Sequence, residues 1–130
     1  MTARQIVPQA VPDRARQTAA RLSALFEHDQ RLCERLNDAG RRLAGACEQL
    51  QGDVPGGDHR VAVTGTLIRR AFFEYRQACE ERRQLAVDVG ELSQQLSDQL
   101  GAVGFTKHDA RQADVHALAR GADPGREPGR

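Results

Sequence analysis

The sequence predicts an all-α protein: a long antiparallel helical hairpin of coiled-coil character, followed by one short helix. Three observations predict it. The composition is poor in sheet formers, with aromatics at 4% and no Trp, and rich in Ala, Leu, Arg, Glu and Gln. Apolar residues recur at heptad spacing through two long stretches. Between the stretches lies Gly52-Asp53-Val54-Pro55-Gly56-Gly57-Asp58, which has the composition of a turn.

The elements follow in chain order. Residues 1–11 contain Pro8 and little periodicity, and read as a flexible arm. Pro12 suits the first turn of a helix, because its missing N–H would have no partner there. The first helix is expected over Asp13–Gln51 and the second over Val61–Leu100, with Gly65 a weak point in its first turns. Gly101 and Gly104 end it, glycine being the usual residue for the left-handed step after a helix. Thr106 and Asp109 form a capping box with Asp in place of the usual Glu, and open a third helix that runs to Arg120. Gly121 closes it, and the remaining residues to 130, ADPGREPGR, read as a disordered tail. The expected organisation is therefore an arm (1–11), one helical domain (12–120) and a tail (121–130).

The heptads assign a and d positions. In the first helix the a positions are Leu22, Asp29, Leu36, Leu43 and Leu50, and the d positions are Leu25, Leu32, Ala39 and Ala46. In the second, the a positions are Ile68, Tyr75, Arg82, Val89, Leu96 and Val103, and the d positions are Ala71, Ala78, Leu85 and Leu92. Folding at Gly56-Gly57 sets the a of one helix opposite the d of the other. Large then meets small: Leu36 with Ala78, Ala39 with Tyr75, Leu43 with Ala71, Ala46 with Ile68. That alternation fills a core without voids. Nearer the base, Leu22 meets Leu92 and Leu25 meets Val89. Asp29 and Arg82 are polar intrusions in the seam, one layer apart, and are expected to pair and fix the register.

The two flanks differ. Position g carries Arg21, His28, Arg35 and Arg42 on the first helix and Glu74, Glu81, Asp88 and Gln95 on the second. In this register Arg42 faces Glu74, Arg35 faces Glu81 and His28 faces Asp88, with complementary signs. Position e is mostly apolar: Phe26, Cys33, Gly40 and Cys47 against Phe72, Cys79, Ala86, Ser93 and Leu100. A lone hairpin leaves that flank wet, and two helices rarely bury enough area to stand alone. The third helix can cover part of it with Val115, Leu118 and its alanines. A partner hairpin, giving a helical bundle by oligomerisation, covers the rest. Phe26, Cys33, Phe72, Cys79 and Leu100 are the residues expected to carry that partner interface.

The function expected from this pattern is that of a non-enzymatic interaction or scaffold protein acting by helix-to-helix packing, in a homodimer or larger assembly. No nucleophile, base or acid constellation is visible. The glycine-rich turn has no strand before it and no Lys-Ser/Thr after it, so it is not a phosphate cradle. No cofactor is expected. His28, His59, His108 and His116 show no metal-ligand spacing with the cysteines, so no metal site is expected either. Cys33 and Cys79 face each other across the flank and read as small buried hydrophobes, or as a disulfide in an oxidising setting.

Net charge is +1, which demands neither nucleic acid nor a membrane. A nucleic-acid-associated accessory role would rest on Arg41, Arg42, Arg69 and Arg70, which gather near the hairpin tip. No aromatics interleave them. Lys107 is the only lysine beside many arginines, as a GC-rich bacterial genome would encode. The N-terminal residues lack an apolar core of signal-peptide length, and a cytoplasmic location is expected.

A helical hairpin with a C-terminal tail resembles in shape the small W-x-G substrates of type VII secretion, which would imply an exported substrate or chaperone-like partner. The motifs depart from that family. Val63-Thr64-Gly65 stands where the W-x-G motif is sought and lies past the tip, and Tyr75 is followed four residues on by Cys79 instead of an acid. The resemblance is one of shape alone.

Overall fold

The computed structural model describes Ile6, residues 10–51 and residues 57–121, with side chains described over Ile6, 10–50 and 60–120. Four helices follow in order: α1 (Asp13–Gln51), α2 (Gly57–Gly101), α3 (Lys107–Arg111) and α4 (Val115–Gly121). The long helices α1 and α2 pack antiparallel as a hairpin, and no strand occurs among the described residues.

The span of α1 is the one its periodicity predicts. The Pro12 carbonyl accepts the first helical bond, from the Arg16 N–H at 3.1 Å, and Asp13 in the first turn pairs with Arg16. Helix α2 begins four residues earlier than expected, at Gly57, so Gly57 and Asp58 are helical and not turn. The rest of the turn, 52–56, lies outside the described residues, as do 1–5, 7–9 and the tail from 122. The exit from α2 is as the glycines predict. Gly104 takes φ +96°, and the Phe105 N–H reaches back to the Leu100 carbonyl at 3.1 Å.

The expected third helix is two helices. The Thr106–Asp109 capping box is present: Thr106 Oγ1 accepts from the Asp109 N–H at 3.0 Å, and the Asp109 carboxylate accepts from the Thr106 N–H at 2.9 Å. The α3 helix stops at Gln112, and Asp114 starts α4 by accepting the Ala117 N–H at 3.1 Å on its side chain. Asp favours such a cap over a helix interior, because its short carboxylate competes for backbone N–H groups. The chain breaks there for that reason.

The chain divides into two compact units, unit 1 from Met1–Glu27 with Leu85–Arg130, and unit 2 from His28–Gln84. The core of unit 1 is Val11, Ala15, Ala19, Leu22, Leu96, Leu100 and Leu118, all buried, with Ile6, Val89, Leu92, Phe105, Ala110, Ala113 and Val115 packed against it. Two expectations change here. Val11 is anchored in the core, so the N-terminal arm is not free up to residue 11. Leu100, expected at a partner interface, is 0% exposed and belongs to the protein's own core.

Unit 2 has a one-sided core. Every described d position is buried: Leu32, Ala39, Ala46, Thr64, Ala71 and Ala78. No a position is. Leu36, Leu43 and Ile68 are half-buried, while Leu50, Val61 and Tyr75 are exposed, Tyr75 by 43%. The expectation that Tyr75 and Leu50 sit in the seam is therefore corrected. The cause is the size of the d residues. Alanine at 39, 46, 71 and 78 lets the helices close on that side, as interaxial distance follows the side chains at the contact. The larger a residues are left to the side.

Candidate interaction surface

Residues four apart share a helix face, so each a residue has an e neighbour beside it. On α1 these pairs are Asp29 with Cys33, Leu36 with Gly40 and Leu43 with Cys47. On α2 they are Ile68 with Phe72 and Tyr75 with Cys79. The e residues are open as well: Phe72 is 52% exposed, Cys33, Gly40 and Cys79 are half-buried, and Cys47 is exposed. A Cβ built at Gly40 would meet nothing within 4 Å. Unit 2 therefore presents one continuous a/e face. Its α1 half carries Cys33, Leu36, Gly40, Leu43 and Cys47, and its α2 half Ile68, Phe72, Tyr75 and Cys79.

The opposite side of unit 2 is closed within the chain. Arg35 bonds Glu81 at 3.0 Å, and Arg42 bonds Glu74 and also Asp38, the latter at 3.1 Å. Arg35–Glu81 and Arg42–Glu74 are cross-helix g pairs that the register predicts, while Asp38 stands one turn from Arg42 on α1 itself. The Arg42 guanidinium is held above its ordinary pKa, chiefly by its hydrogen bond to Glu74.

Asp29 and Arg82 pair as expected, the Arg82 Nε donating to Asp29 Oδ1 at 2.8 Å and its terminal NH₂ to Oδ2 at 3.4 Å. The pair lies at a positions and is more than a third exposed on both sides, so it belongs to the a/e face and not to a sealed seam. The hydrogen bond to Asp29 raises the Arg82 pKa, and Cys33 and Cys79 nearby add in the same direction. Cys33, Cys47 and Cys79 are free thiols.

In unit 1 the chain itself covers part of the corresponding face, leaving Phe26, Ala86 and Ser93 exposed. There the a and e residues Ala15, Ala19, Leu22, Leu96 and Leu100 are buried together with Leu118 of α4. Phe26 is 38% exposed and meets the edge of the His116 ring at a centroid distance of 6.0 Å. His116 Nδ1 in turn shares a hydrogen bond of 2.7 Å with Ser23 Oγ. A cleft of about 680 Å³ runs past Leu22, Phe26, Ser93, Lys107, Arg111 and His116. Of the expected interface residues, Cys33, Phe72 and Cys79 thus gather on the open face of unit 2, and Phe26 and Leu100 belong to unit 1.

Of the exposed large apolar side chains among the described residues, Phe73 is the most open. Phe73 is 61% exposed and lines a shallow cleft of about 650 Å³ with Arg69, Phe72, Arg76, Gln77 and Glu80. It stands at position f, which heptad logic assigns to solvent. The signal was the dipeptide itself: adjacent residues project about 100° apart on a helix, so two consecutive Phe side chains cannot both enter one seam.

The basic tip is partly neutralised. Arg42 is held by two carboxylates, Arg69 donates to Thr66 Oγ1 at 3.5 Å, and Arg41 and Arg70 are exposed. Among the described residues no helix is long and apolar enough to cross a membrane, and no three His, Cys, Asp or Glu side chains converge to hold a metal ion. No protein-family model, curated protein or solved structure matches this chain.

Proposed function

We propose that this chain is a non-enzymatic interaction protein that docks a partner helix on the a/e face of unit 2, within an oligomer or larger helical assembly. One observation carries the reading: all described d positions of unit 2 are buried and none of its a positions is. In unit 1 Leu118 of α4 is buried against the a and e residues Ala15, Ala19, Leu22, Leu96 and Leu100, which supports a helix as the cover.

The energetics favour a cover. A Phe or Tyr side chain offers on the order of 200 Å² of surface. Burying the exposed half of Phe72 or Tyr75 therefore contributes roughly 2 kcal/mol each at about 25 cal/mol per Å². Leu36, Leu43 and Ile68 add to this. The sum enters the range of about 4–15 kcal/mol that association costs. A helix along the whole face is needed, and a contact at Phe72 alone is too weak.

Thiol footprinting tests the reading, because Cys33, Cys47 and Cys79 all stand on the face. Alkylation of Cys47 and Cys79 should be slow in a native extract and fast in dilute purified protein. Equal rates in both would overturn the proposal. A nucleic-acid role at the tip is second, because Arg42 is already engaged and the remaining arginines are interleaved with acids. Binding there would show as a steep loss of affinity with added salt.

A further inference from the structure

We infer that the cleft of unit 1 binds a small amphipathic carboxylate, with its charged head on Lys107 and Arg111 and its apolar body against Leu22, Leu96 and Phe26. The site lies wholly within unit 1 and does not depend on the docking reading above.

Size and lining set the ligand class. The cleft measures about 680 Å³, within the roughly 300–1,000 Å³ typical of small-molecule sites. Much of its lining is apolar. Leu22 and Leu96 are buried, and Ala110, Ala113 and Val115 beside them are half-buried. Phe26 is exposed by more than a third, so an apolar body seated there removes aromatic surface from water.

The polar lining is basic and uncommitted. Lys107 and Arg111 stand four apart on α3 and share a helix face, and both line the cleft. Neither side chain has a hydrogen bond or ion pair to a described residue. Ser93 and Ser97 repeat the spacing on α2, line the same cleft and likewise have no side-chain partner among the described residues. Asp114 is the acid of the lining, and its carboxylate already accepts the Ala117 N–H at 3.1 Å. His116 is engaged with Ser23. Lys107 and Arg111 against Asp114 leave one positive charge in surplus, which suits a monoanion. A guanidinium holds a carboxylate through two parallel bonds. An inorganic anion would leave the leucines and Phe26 wet, and an organic cation would meet Lys107 and Arg111 with like charge.

Naphthoate is the probe, titrated into the full-length protein by isothermal calorimetry. It should bind saturably, one to one, with a Kd of about a millimolar or tighter, and more weakly as salt is added. Naphthylmethylammonium, the same ring with the opposite charge, should bind about tenfold more weakly or worse, and inorganic phosphate should not displace naphthoate. Lys107→Ala and Arg111→Ala should each weaken naphthoate about fivefold. Both side chains are exposed, so the variants should melt with the parent by circular dichroism. The two-probe comparison uses the parent alone, so a variant that fails to fold leaves the test intact. Three results would overturn the inference: no saturable naphthoate binding at millimolar concentration, equal affinity for the two naphthyl probes, or unchanged naphthoate affinity in both folded alanine variants.

Discussion

Leu118→Ala tests how unit 1 covers its a/e side. Leu118 is 1% exposed and is the α4 member of a core otherwise drawn from Val11, α1 and α2. Removing a buried leucine to alanine costs about 2–5 kcal/mol, the upper part of that range applying where the surroundings cannot collapse. Its neighbours include Ala15 and Ala19, whose short side chains sit on a rigid helix and have little reach to refill a void. A loss of about 3 kcal/mol follows. For a chain of this length that lowers the melting temperature by roughly 10 °C. Val103→Ala is the control, since Val103 is exposed, and it should shift stability by no more than about 0.5 kcal/mol. Thermal melts followed by circular dichroism compare the two. A Leu118→Ala melt that overlays the Val103→Ala melt would refute the reasoning. It would mean that α4 adds nothing to unit 1 and that the contrast with unit 2 has no energetic basis.

Other outcomes follow from the same structure. Asp114→Ala removes the side-chain acceptor for the Ala117 N–H and should destabilise by about 1 kcal/mol, seen as faster amide exchange in α4 than in α2. Ala78→Leu puts a large side chain at a fully buried d position of unit 2 and should cost about 1–3 kcal/mol in chemical denaturation. The same change at exposed Ala86 should be close to neutral.

Much of the fold was readable from the residues. The bounds of α1 follow from Pro12, Asp13 and an unbroken heptad. The register follows from charge: Arg35–Glu81, Arg42–Glu74 and Asp29–Arg82 are the pairs that complementary signs select. What escaped has physical reasons. The heptad pattern treats a and d as equivalent, whereas four alanines at d shift the helix contact to one side and leave Tyr75 and Leu50 in solvent. Leu100 shares its e label with Phe72, but only the unit containing α4 buries it. A capping signal inside a short helical stretch, Asp114, reads as an ordinary surface residue until its bond to the Ala117 N–H is seen. The candidate site was therefore half visible: Cys33, Phe72 and Cys79 were named in advance. The exposure of Tyr75 and the one-sided burial that leaves it open needed the structure.

Under the proposed function, the a/e face of unit 2 is open in the single chain and covered in the assembled protein. Tyr75 lies on that face, is the only tyrosine, and no Trp competes with its emission. Acrylamide quenching of its fluorescence, followed as protein concentration rises and in the natively isolated assembly, reads the cover directly. Strong quenching is expected in dilute protein, with a marked loss of quenching on assembly. Equal quenching in every state would contradict it.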